Sequence, residues 1–130
     1  MSSVPFTSLW TYEAEVDCWN PYSSEKMAIL SVLHTVKNVI ILSGDRHEFA
    51  TIKFNGEGLG SHSILEVSTS PMSMFWVPLL RSLRLASDDT VKHVKEVNNI
   101  IDGQTITELL EEEVPREEVL KYVPEGNYKW

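Results

Sequence analysis

Ile29, Leu30, Leu33 and Val36 recur at the spacing of one helical face, so a helix is expected from Ser23 onward. Ser23 or Ser24 can cap it, because a hydroxyl oxygen accepts from the free N–H groups of a first helical turn, and Asn38 closes the segment. Residues 39–42, Val-Ile-Ile-Leu, form a short, wholly apolar, β-branched run, the pattern of a strand covered on both faces. In residues 48–54, Ala50, Ile52 and Phe54 alternate with Phe49, Thr51 and Lys53, which is strand periodicity. Three glycines in residues 55–61 mark a turn or short loop, and residues 62–69 form a second strand candidate. The two strands are expected to pair as an antiparallel hairpin. Residues 70–85 are apolar and aromatic but interrupted by Pro71 and Pro78, and periodicity leaves them as either a helical turn or a packed loop.

From Asp88 the chain becomes charged. Val91, Val94 and Val97 are spaced by three, as in a helix, but Asp102-Gly103 is a strong two-residue hairpin signal, and a hairpin is favoured. Pro115 stands at a helix-start position with Glu117 and Glu118 behind it, so residues 115–123 are expected to form a short helix. Tyr128–Trp130 look like the first residues of a further strand. Before Ser23, the prolines Pro5 and Pro21 and the three aromatics ahead of Asp17 show no period. The expected organisation is one domain over residues 1–130: an irregular N-terminal segment (1–22), a helix, strand, charged loop and hairpin (23–87), and a charged hairpin and helix extension (88–130). The fold class is α/β in the broad α+β sense, a mixed β-sheet with flanking helices.

Composition narrows the function classes. The apolar fraction of 42% and charged fraction of 23% are those of a soluble globular domain. A net charge of −8 argues against a nucleic-acid partner, which calls for clustered Lys and Arg. A small phosphate ester remains compatible, because a bound metal ion reverses the local field. No apolar run approaches the roughly 20 residues of a membrane-spanning helix. The N-terminus has neither a basic region nor a long apolar core, so no signal peptide is expected. A single cysteine, Cys18, excludes an internal disulfide.

The densest chemistry is Gly44-Asp45-Arg46-His47-Glu48, at the end of the first apolar strand. Ligands of open α/β sheets collect at the carboxyl ends of strands. Gly44 lets the backbone turn sharply and come close to a ligand. Asp45 and His47, one residue apart, can point the same way, and carboxylate and imidazole are both ligands for first-row metals. Arg46 can hold an anion through its hydrogen-bonding fork. Together these suit phosphoryl chemistry. The competing reading is a hydrogen-bonded turn in which Asp45 caps backbone N–H groups.

The stretch Asn38–Ala50, with its apolar strand followed by Gly44-Asp45-Arg46-His47, resembles the closing metal motif of the PhoD-like alkaline phosphatases, a branch of the calcineurin-like metallophosphoesterases. Asp17-Cys18-Trp19-Asn20-Pro21-Tyr22 is similar to that family's upstream Asp-x-Trp-x-x-Tyr motif, residues 68–78 to its Ser-Pro segment, and residues 119–130 to its fungal members. Asn20-Pro21 stand where many relatives have Asp-Gly. The resemblance implies part of a metallophosphoesterase sandwich, metal-dependent hydrolysis of a phosphate ester, and iron with calcium as the metals. It implies Asp45 and His47 as metal ligands, Arg46 and Asp17 as catalytic side chains, and Trp19, Tyr22 and Gly44 as pocket residues. Nothing in residues 1–38 matches the family's earlier aspartate, Gly-Asp and Gly-Asn motifs. The expectation is therefore an incomplete metallophosphatase domain with little activity alone, or a non-catalytic binding domain whose uncovered face seeks a partner.

Other side chains have plainer expectations. His34 packs or caps, His62 and His93 face solvent, Cys18 is structural, and Glu48 either orients His47 or is solvated. Arg81 and Arg84 are helix-surface charges. Phe75 and Trp76 pack in the core. The acidic run 108–113 is a solvated face.

Overall fold

The computed structural model describes residues 1–11, 18–46, 48–69, 83–101 and 104–124. The fold is α+β and mostly strand. A 3₁₀ turn (Asn20–Tyr22) leads into helix α1 (Ser23–Leu33). The strands are β1 (Ile40–Ser43), β2 (Phe49–Phe54), β3 (Gly58–Leu59), β4 (Ile64–Ser68), β5 (Thr90–Ile101), β6 (Gln104–Pro115) and β7 (Glu117–Val123). They make two mixed sheets, ordered β1-β4-β2-β7 and β3-β5-β6. Among the described residues no helix is long and apolar enough to cross a membrane.

The expected hairpin of β2 and β4 is present, with Ala50 opposite Ser68 and Phe54 opposite Ile64. Its alternation buries Ala50, Ile52 and Phe54 together with Ile64, Glu66 and Ser68 on one face. β1 joins β4 in parallel, Ser43 beside Ser68, so the carboxyl ends of two strands lie together where the charged loop leaves the sheet. Among its described residues the N-terminal segment forms no strand. The Ser2 N–H donates to the Leu42 carbonyl at 2.8 Å, and Phe6, Leu9 and Trp10 then join the core with Leu30, Ile41, Ile52, Phe54 and Ile64.

Three expectations need correction. β1 is not covered on both faces: Ile41 is buried, but Ile40 and Leu42 are 60% and 42% exposed, because α1 and the N-terminal segment pack on one side only. Residues 115–123 are not a helix. Pro115 ends β6, and β7 pairs antiparallel with β2, a ladder that overrides the helix-start signal. A slip in register between Thr51 and Ile52 accommodates it. α1 begins without a serine cap, since the preceding 3₁₀ turn places Tyr22 at that position, and it ends at Leu33. Asn38 reverses the chain at φ +60°, a left-handed conformation that asparagine tolerates. Val36 therefore falls beyond the helix and is 50% exposed.

β5 and β6 pair without a slip from Thr90 opposite Pro115 to Ile101 opposite Gln104, as the Asp-Gly signal indicates. The expectations for residues 70–82 and 128–130 fall outside the described residues.

Candidate functional site

The loop after β1 sits at the carboxyl end of the parallel pair β1 and β4. Thr69 closes this end, its N–H and hydroxyl both donating to the Ser43 carbonyl at 2.9 and 3.0 Å. Gly44 leaves the strand beside the N-terminal segment, and a Cβ there would meet the Ser3 carbonyl at 3.7 Å, an ordinary contact. The sharp turn expected of Gly44 belongs to Asp45, which lies at φ +73°. Aspartate is one of the few residues that adopt this region, because its short polar side chain bonds locally. The Asp45 side chain is exposed.

Arg46 turns inward. Its guanidinium carbon lies 4.8 Å from the ring centroid of buried Trp10, a cation–π stack that fixes the side chain against the N-terminal segment. Beyond the loop, the Tyr122 hydroxyl on β7 donates to the Glu48 carboxylate at 2.6 Å. Glu48 is thus tied to a neighbouring strand rather than left in solvent. Asp17 and His47 lie outside the described residues.

Trp19 and Tyr22 stand on another side of the N-terminal segment. The Trp19 indole N–H donates to Ser2 Oγ at 3.2 Å, and its ring packs on Phe6 at 5.1 Å and edge-on to Tyr22 at 6.5 Å. They line a groove of about 630 Å³ with Phe6, Cys18, Ile29 and Ile41. Among the described residues, Gly44, Asp45 and Arg46 do not line this groove. Among the described residues the structure therefore brings Arg46 to Trp10, and Trp19 to Tyr22, and this groove holds only the second pair.

A carboxylate suits a hard or borderline cation, so the donor chemistry of Asp45 fits the expected metal. Among the described residues no three His, Cys, Asp or Glu side chains converge. Asp45 is the described donor of the motif.

The strongest polar cluster was not expected from the sequence. Glu66 on β4 is completely buried and accepts from the Phe6 N–H at 2.7 Å, the Thr7 N–H at 2.8 Å and the Ser43 hydroxyl. Burial pushes its pKa above the usual carboxylate range, outweighing the three donors, which pull it down. Glu117 on β7 accepts from the Thr7 hydroxyl, the Ser8 N–H and hydroxyl, and Lys26 Nζ at 2.6 Å. Lys26, 3% exposed on α1, also lies 5.6 Å from the Phe54 ring centroid. An irregular segment crossing a core has backbone N–H groups with no ladder to join; these two carboxylates take them. The sequence does hold a signal. Glu66 stands between Ile64 and Ser68 in the buried phase of a strand, and Lys26 precedes Leu30 by one helical turn.

Two of the described histidines bond backbone carbonyls. His34 Nδ1 lies 2.6 Å from the His62 carbonyl and His93 Nδ1 lies 3.1 Å from that of Gly56; both rings are half-buried, so His93 is not the solvated residue expected. Arg84 sits in an extended stretch, not on a helix, and pairs with Asp88. Cys18 is buried.

Comparison of the chain with protein-family models, with curated proteins and with solved structures returned no match.

Proposed function

We propose that the chain is a metal-dependent phosphoric ester hydrolase domain of the PhoD-like type, with little activity alone. Its support is the position of Gly44-Asp45-Arg46, at the carboxyl end of a parallel strand pair with Asp45 turned outward at φ +73°. Asp45 and His47 would hold the metal, calcium or iron by resemblance. When bound, such an ion lowers the pKa of a water and neutralises phosphate charge. Arg46 would orient the ester's phosphate, its guanidinium plane already set by the stack on Trp10. Asp17 would support the same site, with Trp19 and Tyr22 lining the neighbouring groove. Two ligands hold a metal weakly, and residues 1–38 lack the family's other ligand motifs, hence the low activity. The test is the metal content of the purified chain with His47→Ala as control. Metal above the variant's level is expected; equal content overturns the proposal. Hydrolysis of p-nitrophenyl phosphate at ordinary enzyme rates, lost in His47→Ala, would overturn the low-activity part alone.

A non-catalytic binding role is the second reading. The exposure of Ile40 and Leu42 favours it, since that face of β1 presents apolar side chains to solvent. A chain that binds no metal and yet captures a partner through this face, with capture lost in Ile40→Lys, would favour it over hydrolysis.

A further inference from the structure

β5 and β6 form a ribbon whose two strands each run twelve residues, yet β3 touches it only at His93 and Val94. An isolated two-stranded ribbon is marginally stable in water, because neither face nor edge is covered. Every β6 residue from Gln104 to Glu113 is exposed, including Ile106, Leu109 and Leu110 at 43%, 59% and 54%. Among the described residues nothing pairs with the outer edge of β6. Proteins ordinarily blunt such an edge with a bulge, a short strand, a proline or charged side chains, lysine above all; here the only such device is glutamate, which still admits a basic strand. β6 is long, pairs with β5 without a slip, and has no lysine or proline before Pro115.

The edge also has a defined chemistry. Along one face of β6 run Ile106, Glu108, Leu110 and Glu112; along the other run Thr107, Leu109, Glu111 and Glu113. The ribbon carries five glutamates against two lysines, and both lysines face β6 glutamates across the ladder: Lys92 stands opposite Glu113, and Lys95 bonds Glu112 at 2.8 Å. Glu111 stands opposite Val94 and receives no such neutralisation. A second copy pairing β6 with β6 through the acidic segment would set glutamate against glutamate, which is unfavourable.

We infer that the outer edge of β6 is a docking site for an extended basic segment of another protein, which adds to the sheet as a further strand. Main-chain hydrogen bonds supply the affinity, and the apolar and acidic side chains of β6 select a strand that sets basic residues opposite Glu108 and Glu111–Glu113 and apolar ones opposite Ile106, Leu109 and Leu110. This inference does not depend on the metal loop.

The probe is a labelled, end-capped peptide, Lys-Lys-Lys-Val-Val-Lys-Thr-Val, titrated with the full chain and followed by fluorescence anisotropy. Saturable binding is expected, weaker at higher salt, lost when alternate peptide nitrogens are methylated, and about tenfold weaker in Glu108→Lys/Glu111→Lys. Circular dichroism checks that this variant keeps its sheet; if it does not, Glu111→Lys alone serves. Absence of binding overturns the inference, as does binding indifferent to the charge reversal, or equal binding of a peptide with glutamate in place of lysine. Sedimentation showing that the chain dimerises through β6, with the peptide unable to compete, also overturns it, in favour of a second copy.

Discussion

Lys26 Nζ on α1 lies 2.6 Å from the Glu117 carboxylate on β7, and both side chains are almost wholly buried, at 4% and 5% exposure. The pair joins the helix to the outermost strand of the sheet across the N-terminal segment, whose Thr7 and Ser8 bond the same carboxylate. Removing one member of a buried pair leaves the other charge unpaired, at a cost of about 3–5 kcal/mol. Lys26→Met is expected to destabilise the fold by that much in urea unfolding. Adding Glu117→Gln should recover part of the loss: the amide nitrogen can donate to Ser8 Oγ while its oxygen keeps the Thr7 and Ser8 donors. A double variant no more stable than Lys26→Met would show that the pair acts through packing and not through charge.

Glu66 gives the fold a pH dependence of definite sign. Its pKa is raised in the folded state, mainly by burial, so folding favours the protonated form. Its contribution is fully present below the ordinary carboxylate pKa and is lost as pH rises through the folded value. In Glu66→Gln this titration is absent. The amide nitrogen then faces the Thr7 N–H, donor against donor, which costs about 1–3 kcal/mol. The variant should be clearly less stable than wild type near pH 4, and the gap should narrow towards pH 8. Paired urea unfolding curves measure the gap. A gap that widens with pH would mean that the three hydrogen bonds, not desolvation, dominate at Glu66.

The alternation of β2, the strand at residues 62–69, the β5–β6 pairing that the Asp-Gly pair signals, and the carboxyl-end position of residues 44–46 were all legible, because each follows from local pattern or turn chemistry. β7 was not. Pro115 and the two glutamates after it carry a helix-start signal, and only the ladder with β2 reverses it. The coverage of β1 was misjudged for a similar reason: an apolar run states what a strand can bury, not how many layers are present to bury it. At the site, the strand-end placement of Asp45 was readable, but the engagement of Arg46 by Trp10 joins residues far apart in sequence and leaves no local pattern.

Gly56 tests packing rather than backbone freedom. A Cβ there would stand 2.7 Å from Ser61 Cβ and 2.9 Å from His34 Nδ1, and the His34 ring is held by the His62 carbonyl. Neither neighbour has a long flexible arm with which to retreat. Gly56→Ala should therefore cost about 1–3 kcal/mol. At Gly58, with φ +78° and open space around it, the cost is backbone strain alone, about 1 kcal/mol. Thermal unfolding of the two variants should rank Gly56→Ala below Gly58→Ala; the reverse order would place Ser61 elsewhere in solution.

Asp45 separates conformation from chemistry. Asn shares its tolerance of φ +73°, so Asp45→Asn should leave stability within about 0.5 kcal/mol of wild type while removing the carboxylate. Asp45→Gly should stabilise the fold by about 1 kcal/mol, because glycine relieves the left-handed strain. Both should lower the metal content of the purified chain if Asp45 is a ligand. A stable Asp45→Asn protein retaining wild-type metal would remove Asp45 from the site.

The far end of the charged loop depends on Tyr122, whose hydroxyl donates to Glu48 at 2.6 Å. The near end is tied by Thr69 to the Ser43 carbonyl, so the described residues on either side of the loop, 44–46 and 48, are anchored at the sheet's rim. Tyr122→Phe keeps the ring in the core and removes one hydrogen bond, at a global cost of about 0.5–1.5 kcal/mol. Its local effect should be larger than its global one. Amide exchange at residues 44–48 should accelerate, while the protection of Ile52 and Phe54 falls only by the small change in overall stability. Under the proposed metal role the same variant should bind metal more weakly with its donors intact, because a loop freed at one end must be ordered again when the ion binds. Unchanged exchange in the loop would mean that the stack of Arg46 on Trp10 holds it without help from β7.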